Sequence, residues 1–83
     1  MYYVYLIQSK KTNKIYIGSA SDLKGRILRH NSGTELATKS GCPWKLIYYE
    51  AYSDRSLALK REYSLKHYGK SLAMLKKRID LVG

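Results

Sequence analysis

Four side chains in this sequence have the types and spacing to do chemistry together. Tyr5 and Tyr16 stand eleven positions apart, each inside a short apolar stretch of "VYLIQSKKTNKIYIG". Arg26 follows, beside an apolar helical stripe formed by Leu23 and Ile27. Held there, a guanidinium can fork onto two oxygens of a phosphate. The plainer role for Arg26 is a snorkelling side chain or a structural ion pair. The fourth is Glu62, reached by elimination among six acids. Asp22 and Asp54 sit where helix caps are expected. Asp80 is near the chain end, Glu35 lies in a polar loop, and Glu50 ends a strand with room to be exposed. Glu62 is in mid-helix, on the flank of a stripe made of Leu57, Ala58, Leu65 and Tyr68. A carboxylate there can ligate a hard cation or simply pair with Lys66 one turn on. His30 lies beside the Leu23–Ile27 stripe, as an accessory group or as a structural histidine.

The elements that must position these groups can be read from the pattern. Residues 2–8 and 14–19 read as strands rich in aromatic and β-branched types, joined by a turn at 10–13 as an antiparallel hairpin. Ser21 or Asp22 caps a helix running to about Asn31, and Gly33 is its stop. Residues 34–43 form a polar loop and 45–51 a third strand. Ser53 or Asp54 caps a second helix that ends near Gly69. Ser71 caps a third, with Leu72, Leu75 and Ile79 on one face. The expected fold is α+β, a small three-stranded antiparallel sheet flanked by helices in the order β-β-α-β-α-α, forming one domain over residues 1–83.

Strand alternation then relates the tyrosines. Val4 and Leu6 share one face of the first strand, and Ile15 and Ile17 one face of the second. Aligning those faces in the core puts Tyr3, Tyr5, Lys14, Tyr16 and Gly18 on the other, because a one-residue slip would bury Lys14. Tyr5 and Tyr16 are therefore expected as neighbours beside a bare patch at Gly18, with Arg26 and Glu62 converging on that face. A cross-strand aromatic pair that only stabilises the hairpin would look the same.

Composition narrows the partner. Sixteen Lys and Arg against six Asp and Glu give a net charge of +10. That balance favours a polyanion, most simply DNA or RNA, over a membrane surface. No stretch approaches the roughly 18 apolar residues of a membrane span. The N-terminus lacks a signal-peptide layout, and Cys42 is the one cysteine, so no internal disulfide or cysteine metal cluster can form. Together these favour a reducing cytoplasm. Six acids, half of them assigned to caps or the chain end, argue against a two-metal carboxylate cluster.

Four stretches in order then resemble the GIY-YIG endonuclease superfamily. They are Tyr3-Val4-Tyr5, Tyr16-Ile17-Gly18, "GSASDLKGRILRH" and "ALKREYSLK". "HNSG" and "PWKLIYYE" make the chain most similar to small stand-alone bacterial members related to the amino-terminal nuclease domain of the bacterial excinuclease. Tyr3 replaces the first glycine of the family name, Ser19 stands where some members carry lysine, and the late asparagine of larger members has no counterpart. The resemblance implies phosphodiester hydrolysis with one divalent ion, Mg²⁺ or Mn²⁺, on nucleic acid, DNA favoured over RNA. It implies Tyr5 and Tyr16 as motif tyrosines, Gly18 as motif glycine, Arg26 on the phosphate, His30 as an accessory group and Glu62 as metal ligand.

Chemistry fits those roles. A phenol has a reference pKa near 10, and a nearby arginine and a metal-bound water would lower it. One of the two tyrosines can then position and deprotonate water. Gly18, Ser19, Lys24 and Lys39 would meet the nucleic acid, the lysines tracking phosphates without reading sequence. The rivals are a non-catalytic nucleic-acid-binding module and a plain interaction domain.

Overall fold

The computed structural model describes residues 1–79; Asp80 lies outside the described residues. Strand β1 spans Tyr2–Ser9, β2 Ile15–Ala20 and β3 Trp44–Tyr52; helix α1 spans Leu23–Asn31, α2 Arg55–His67 and α3 Gly69–Arg78. A 3₁₀ turn, Lys39–Gly41, interrupts the loop before β3. The fold is α+β in the expected order, and β1 lies central in an antiparallel sheet ordered β2-β1-β3. The hairpin turn is held by Ser9, whose buried hydroxyl donates to the Gly41 carbonyl and accepts from the amides of Lys11 and Thr12. Asn13 takes the positive φ of 64° that closes it.

Register pairs Tyr5 with Gly18 and Ile7 with Tyr16, so the two tyrosines lie diagonally on one face. That much follows the alternation. Both faces of the sheet are covered. On the aliphatic face, Val4, Leu6 and Ile17 pack with Ala58 and Leu65 of α2 and Leu75 of α3. On the tyrosine face, Tyr5, Ile7 and Trp44 pack with Leu23 and Ile27 of α1. A bulge between Leu6 and Ile7 in the β1–β3 register sends Ile47 and Tyr48 to the α2 side and Leu46 to the α1 side.

Both caps fall where expected. Asp22 accepts from the Gly25 amide and Asp54 from the Ser56 amide, and Gly33 follows α1 with φ 78°. Two details differ. Helix α3 begins at Gly69 with no side-chain cap, and Ser71 instead bonds Ser64 of α2. In α2 only Ala58 and Leu65 of the expected stripe are buried; Leu57 and Tyr68 are exposed. Arg61 explains the shift. It lies against β3, its guanidinium bonded twice to Glu50 at 2.9 and 3.1 Å, and both Glu50 oxygens also accept from tyrosines, Tyr52 and Tyr48. Glu50 is thus half-buried rather than exposed. Burial raises its pKa, but the bonds from Arg61, Tyr48 and Tyr52 outweigh that and hold the carboxyl below its ordinary range. Burial and the same carboxylate push the Tyr52 phenol up to about 12.

Candidate active site

The site is built around β2, an edge strand that α1 and α2 flank from opposite faces. On the α1 face, Tyr5 is 1% exposed. Its hydroxyl lies 2.7 Å from His30 Nε2, and His30 Nδ1 lies 2.9 Å from Thr38 Oγ1. A neutral imidazole carries one donor and one acceptor, so one hydroxyl donates to the ring and the other accepts. Thr38 is itself fixed, its carbonyl accepting from the Trp44 indole at 2.8 Å. His30 is buried, and that burial, with Arg26 acting the same way and Glu35 opposing, holds its pKa below the ordinary histidine value.

Arg26 acts to lower the Tyr5 pKa, as a nearby arginine was expected to, but burial acts more strongly. Burial raises it well above the usual phenol value. Arg26 works against that rise and Tyr16 and Glu62 work with it, so all three act within electrostatic reach of the Tyr5 hydroxyl. The bare patch expected at Gly18 is not bare either. Gly18 is buried under the Tyr5 phenol, and a Cβ there would overlap the hydroxyl and lie 2.6 Å from Cζ. Its lack of a side chain seats the Tyr5 ring.

Tyr16 is half-buried at the sheet edge. Its ring meets His30 edge-on at 5.2 Å, and the Lys66 ammonium sits 5.8 Å from its centroid. Lys66 comes from α2, so its side chain reaches round the β2 edge. Glu62 lies one turn earlier. Its Oε1 accepts from Ser19 Oγ at 2.5 Å, and its Oε2 pairs with Lys66 at 2.8 Å. Ser19 points to the α2 face, because it follows Gly18 in the alternation. The arrangement expected from the sequence, with all groups converging on one sheet face, becomes a site wrapped around one strand. Arg26 reaches it from α1 at the end of β2. There it lines a cleft of about 360 Å³ with Tyr2, Ser19, Ser21 and Arg55.

Of the other expected contacts, Lys24 is exposed in the first turn of α1 and Lys39 is exposed in the 3₁₀ turn. Sequence reasoning passed over Thr38, Arg55 and the Ser19–Glu62 bond. Thr38 sits in a loop without periodicity, and Arg55 looks like any basic residue after a cap. The odd position of Ser19, polar on a face of aliphatics, was the one available signal.

Among the described residues no three of His, Cys, Asp and Glu come together. Glu62 presents one carboxylate beside the neutral Ser19 hydroxyl. Such a donor set suits a hard cation that keeps most of its waters and takes its remaining ligands from phosphate. The Glu62–Lys66 pair must open for it, and Lys66, its side chain 39% exposed, has room to move.

Comparisons with known proteins identify relatives of this chain. The profile of the GIY-YIG catalytic domain matches residues 1–79. A UPF0213 protein of Staphylococcus saprophyticus is 37% identical over 70 residues, covering 83% of this chain and 84% of the relative. A UPF0213 protein of Staphylococcus aureus strain N315 is 38% identical over 80 residues, covering 93% and 96%. The solution NMR structure of a UPF0213 protein from Bacillus halodurans matches with a TM-score of 0.55 and 30% identity, covering 92% of this chain and 86% of that one. No helix among the described residues is long and apolar enough to cross a membrane.

Proposed function

The chain belongs to the GIY-YIG catalytic-domain family, and from that premise we propose that it is a divalent-metal-dependent endonuclease that hydrolyses phosphodiester bonds of nucleic acid, with DNA as the favoured substrate. One observation carries the reading. At the end of a single edge strand stand an arginine with no acid partner among the described residues and a glutamate bonded to the strand itself.

In the reaction, a water oxygen attacks phosphorus, the bond to the leaving oxygen breaks, and protons move from the water and to the leaving oxygen. Arg26 holds the scissile phosphate through paired N–H donors. Tyr16 orients the water and accepts its proton. Tyr5 is the less suited of the two, being buried and bonded to His30. Tyr5 and His30 act as positioning residues that pack against Tyr16 and fix the strand. Glu62, with Ser19 beside it, would hold Mg²⁺ or Mn²⁺, whose charge relieves the phosphoryl oxygens and the leaving oxygen. The excess of lysine and arginine supplies salt-sensitive, sequence-independent attraction.

The ion pair between Lys66 and Glu62 favours a second reading, a non-catalytic binding module in which Lys66 is the permanent counter-ion. Incubation with labelled DNA and RNA of several structures, with Mg²⁺ or Mn²⁺ and with chelator, separates the two. Cleavage by the wild type, lost in Glu62→Gln while binding is kept, supports the nuclease. Binding without cleavage across the set supports the module. Binding to nothing at low salt removes both.

A further inference from the structure

All five acids among the described residues are engaged. Glu35 pairs with Arg29, Glu50 with Arg61 and Glu62 with Lys66, while Asp22 and Asp54 cap helices. Arg26 and Arg55 have no carboxylate within ion-pairing distance among the described residues. They come from different helices, α1 and α2, on opposite faces of the sheet. Both nonetheless line the one cleft at the end of β2, together with Ser19 and Ser21. Like charges facing one cleft repel, and the arrangement is stabilised by an anion that both can reach.

A second, adjoining cleft of about 300 Å³ shares Ala20, Ser21 and Arg26 and is lined further by Asp22, Gly25 and Arg29. Arg26 therefore lies where the two clefts meet, with Arg55 lining the larger one beside it. We propose that Arg55 is a second phosphate-binding residue. In this assignment Arg26 holds the phosphate to be cut and Arg55 the neighbouring phosphate of the same strand, so the cleft seats a unit of two consecutive phosphates. The assignment rests on the nuclease reading for the role of Arg26, but its binding part is testable without turnover. It makes Arg55 a specificity residue, favouring an internal phosphodiester over an isolated one. A contact of this kind contributes about tenfold in affinity.

The test compares two dinucleotides by NMR titration in chelator, one carrying only its internal phosphodiester and one carrying a 5′-phosphate as well. Wild type should bind the two-phosphate ligand about tenfold more tightly, with shift changes at Arg26 and Arg55. Arg55→Gln removes the charge from an exposed first-turn position, and its amide spectrum reports directly that it remains folded. It should lose the preference. Lys10→Ala, with the same charge change in the hairpin turn, should retain it. An Arg55→Gln protein that keeps the full preference overturns the assignment even if the wild type cuts DNA. A wild type that shows the preference and loses it with Arg55→Gln, but cuts nothing, upholds the site and removes the catalytic reading. A wild type with no preference overturns the two-phosphate site outright.

Discussion

Replacing Gly18 with alanine should destabilise the protein by about 2–4 kcal/mol, a large effect for one methyl group on an edge strand. The magnitude follows from what the methyl meets. A Cβ at Gly18 would overlap the Tyr5 hydroxyl and lie 2.6 Å from Cζ. The phenol cannot swing aside, because Tyr5 is 1% exposed and its hydroxyl is bonded to His30 at 2.7 Å. Overfilling a packed core costs about 1–3 kcal/mol. Pulling the hydroxyl off the imidazole leaves buried polar atoms short of a partner, for about 1–3 kcal/mol more. Replacing glycine within a strand returns up to about 1 kcal/mol. Urea or thermal unfolding measures the difference. For a chain of this size it corresponds to a fall in melting temperature of more than about 10 °C. Shortening the partner checks the cause: in a Tyr5→Leu background, where no phenol fills the space, Gly18→Ala should cost far less. A Gly18→Ala protein within about 0.5 kcal/mol of wild type, or an equal cost in both backgrounds, would refute the argument that Gly18 exists to seat Tyr5.

Three further outcomes follow from the buried polar groups. His30 has its pKa lowered by burial, so the unfolded chain takes up the proton first; stability should fall as pH drops from about 6.5 through the folded value, and pH-dependent unfolding of His30→Gln should lack that step. Arg61→Met should cost about 2–3 kcal/mol, less than a fully buried pair because Glu50 keeps its tyrosine bonds and some solvent. Glu50 itself, held below its ordinary range, contributes stability above about pH 4.5 that is lost as pH falls through its folded value, so Glu50→Gln should flatten the acid limb of the unfolding curve.

The sheet register was legible because it rests on a binary pattern. Val4, Leu6, Ile15 and Ile17 leave one alignment that keeps Lys14 out of the core, and that alignment carries Tyr5 and Tyr16 to one face. The caps were legible because Asp22 and Asp54 each precede a helical stripe. What failed were inferences that need to know what covers a surface. A strand of alternating Tyr and aliphatic residues reads the same whether its tyrosine face is solvated or packed under α1. The sequence therefore left a bare patch at Gly18 where the structure has a buried ring. Arg61 failed in a related way. A charged residue inside an apolar stripe has a reason only once Glu50, Tyr48 and Tyr52 are seen across from it.

The same limit explains why the candidate site looked planar from the sequence and is not. Motif residues on adjacent strand positions, Gly18 and Ser19, must point to opposite faces. A site using both sides of that strand can only form at an edge, where a side chain from one layer can reach round to the other. Strand β2 is such an edge, and Lys66 makes that reach, from α2 to the ring of Tyr16. This gives Lys66 two effects at once. It pairs with Glu62, and it sits near the face of the Tyr16 ring. Displacing it would uncover a carboxylate and a tyrosine together. If Glu62 holds the cation as proposed, its entry would release Lys66 from the carboxylate and from its place near the Tyr16 ring. The edge position, which elsewhere in small sheets is a hazard to be covered, is here what lets a strand of six residues join two helices that never share a face.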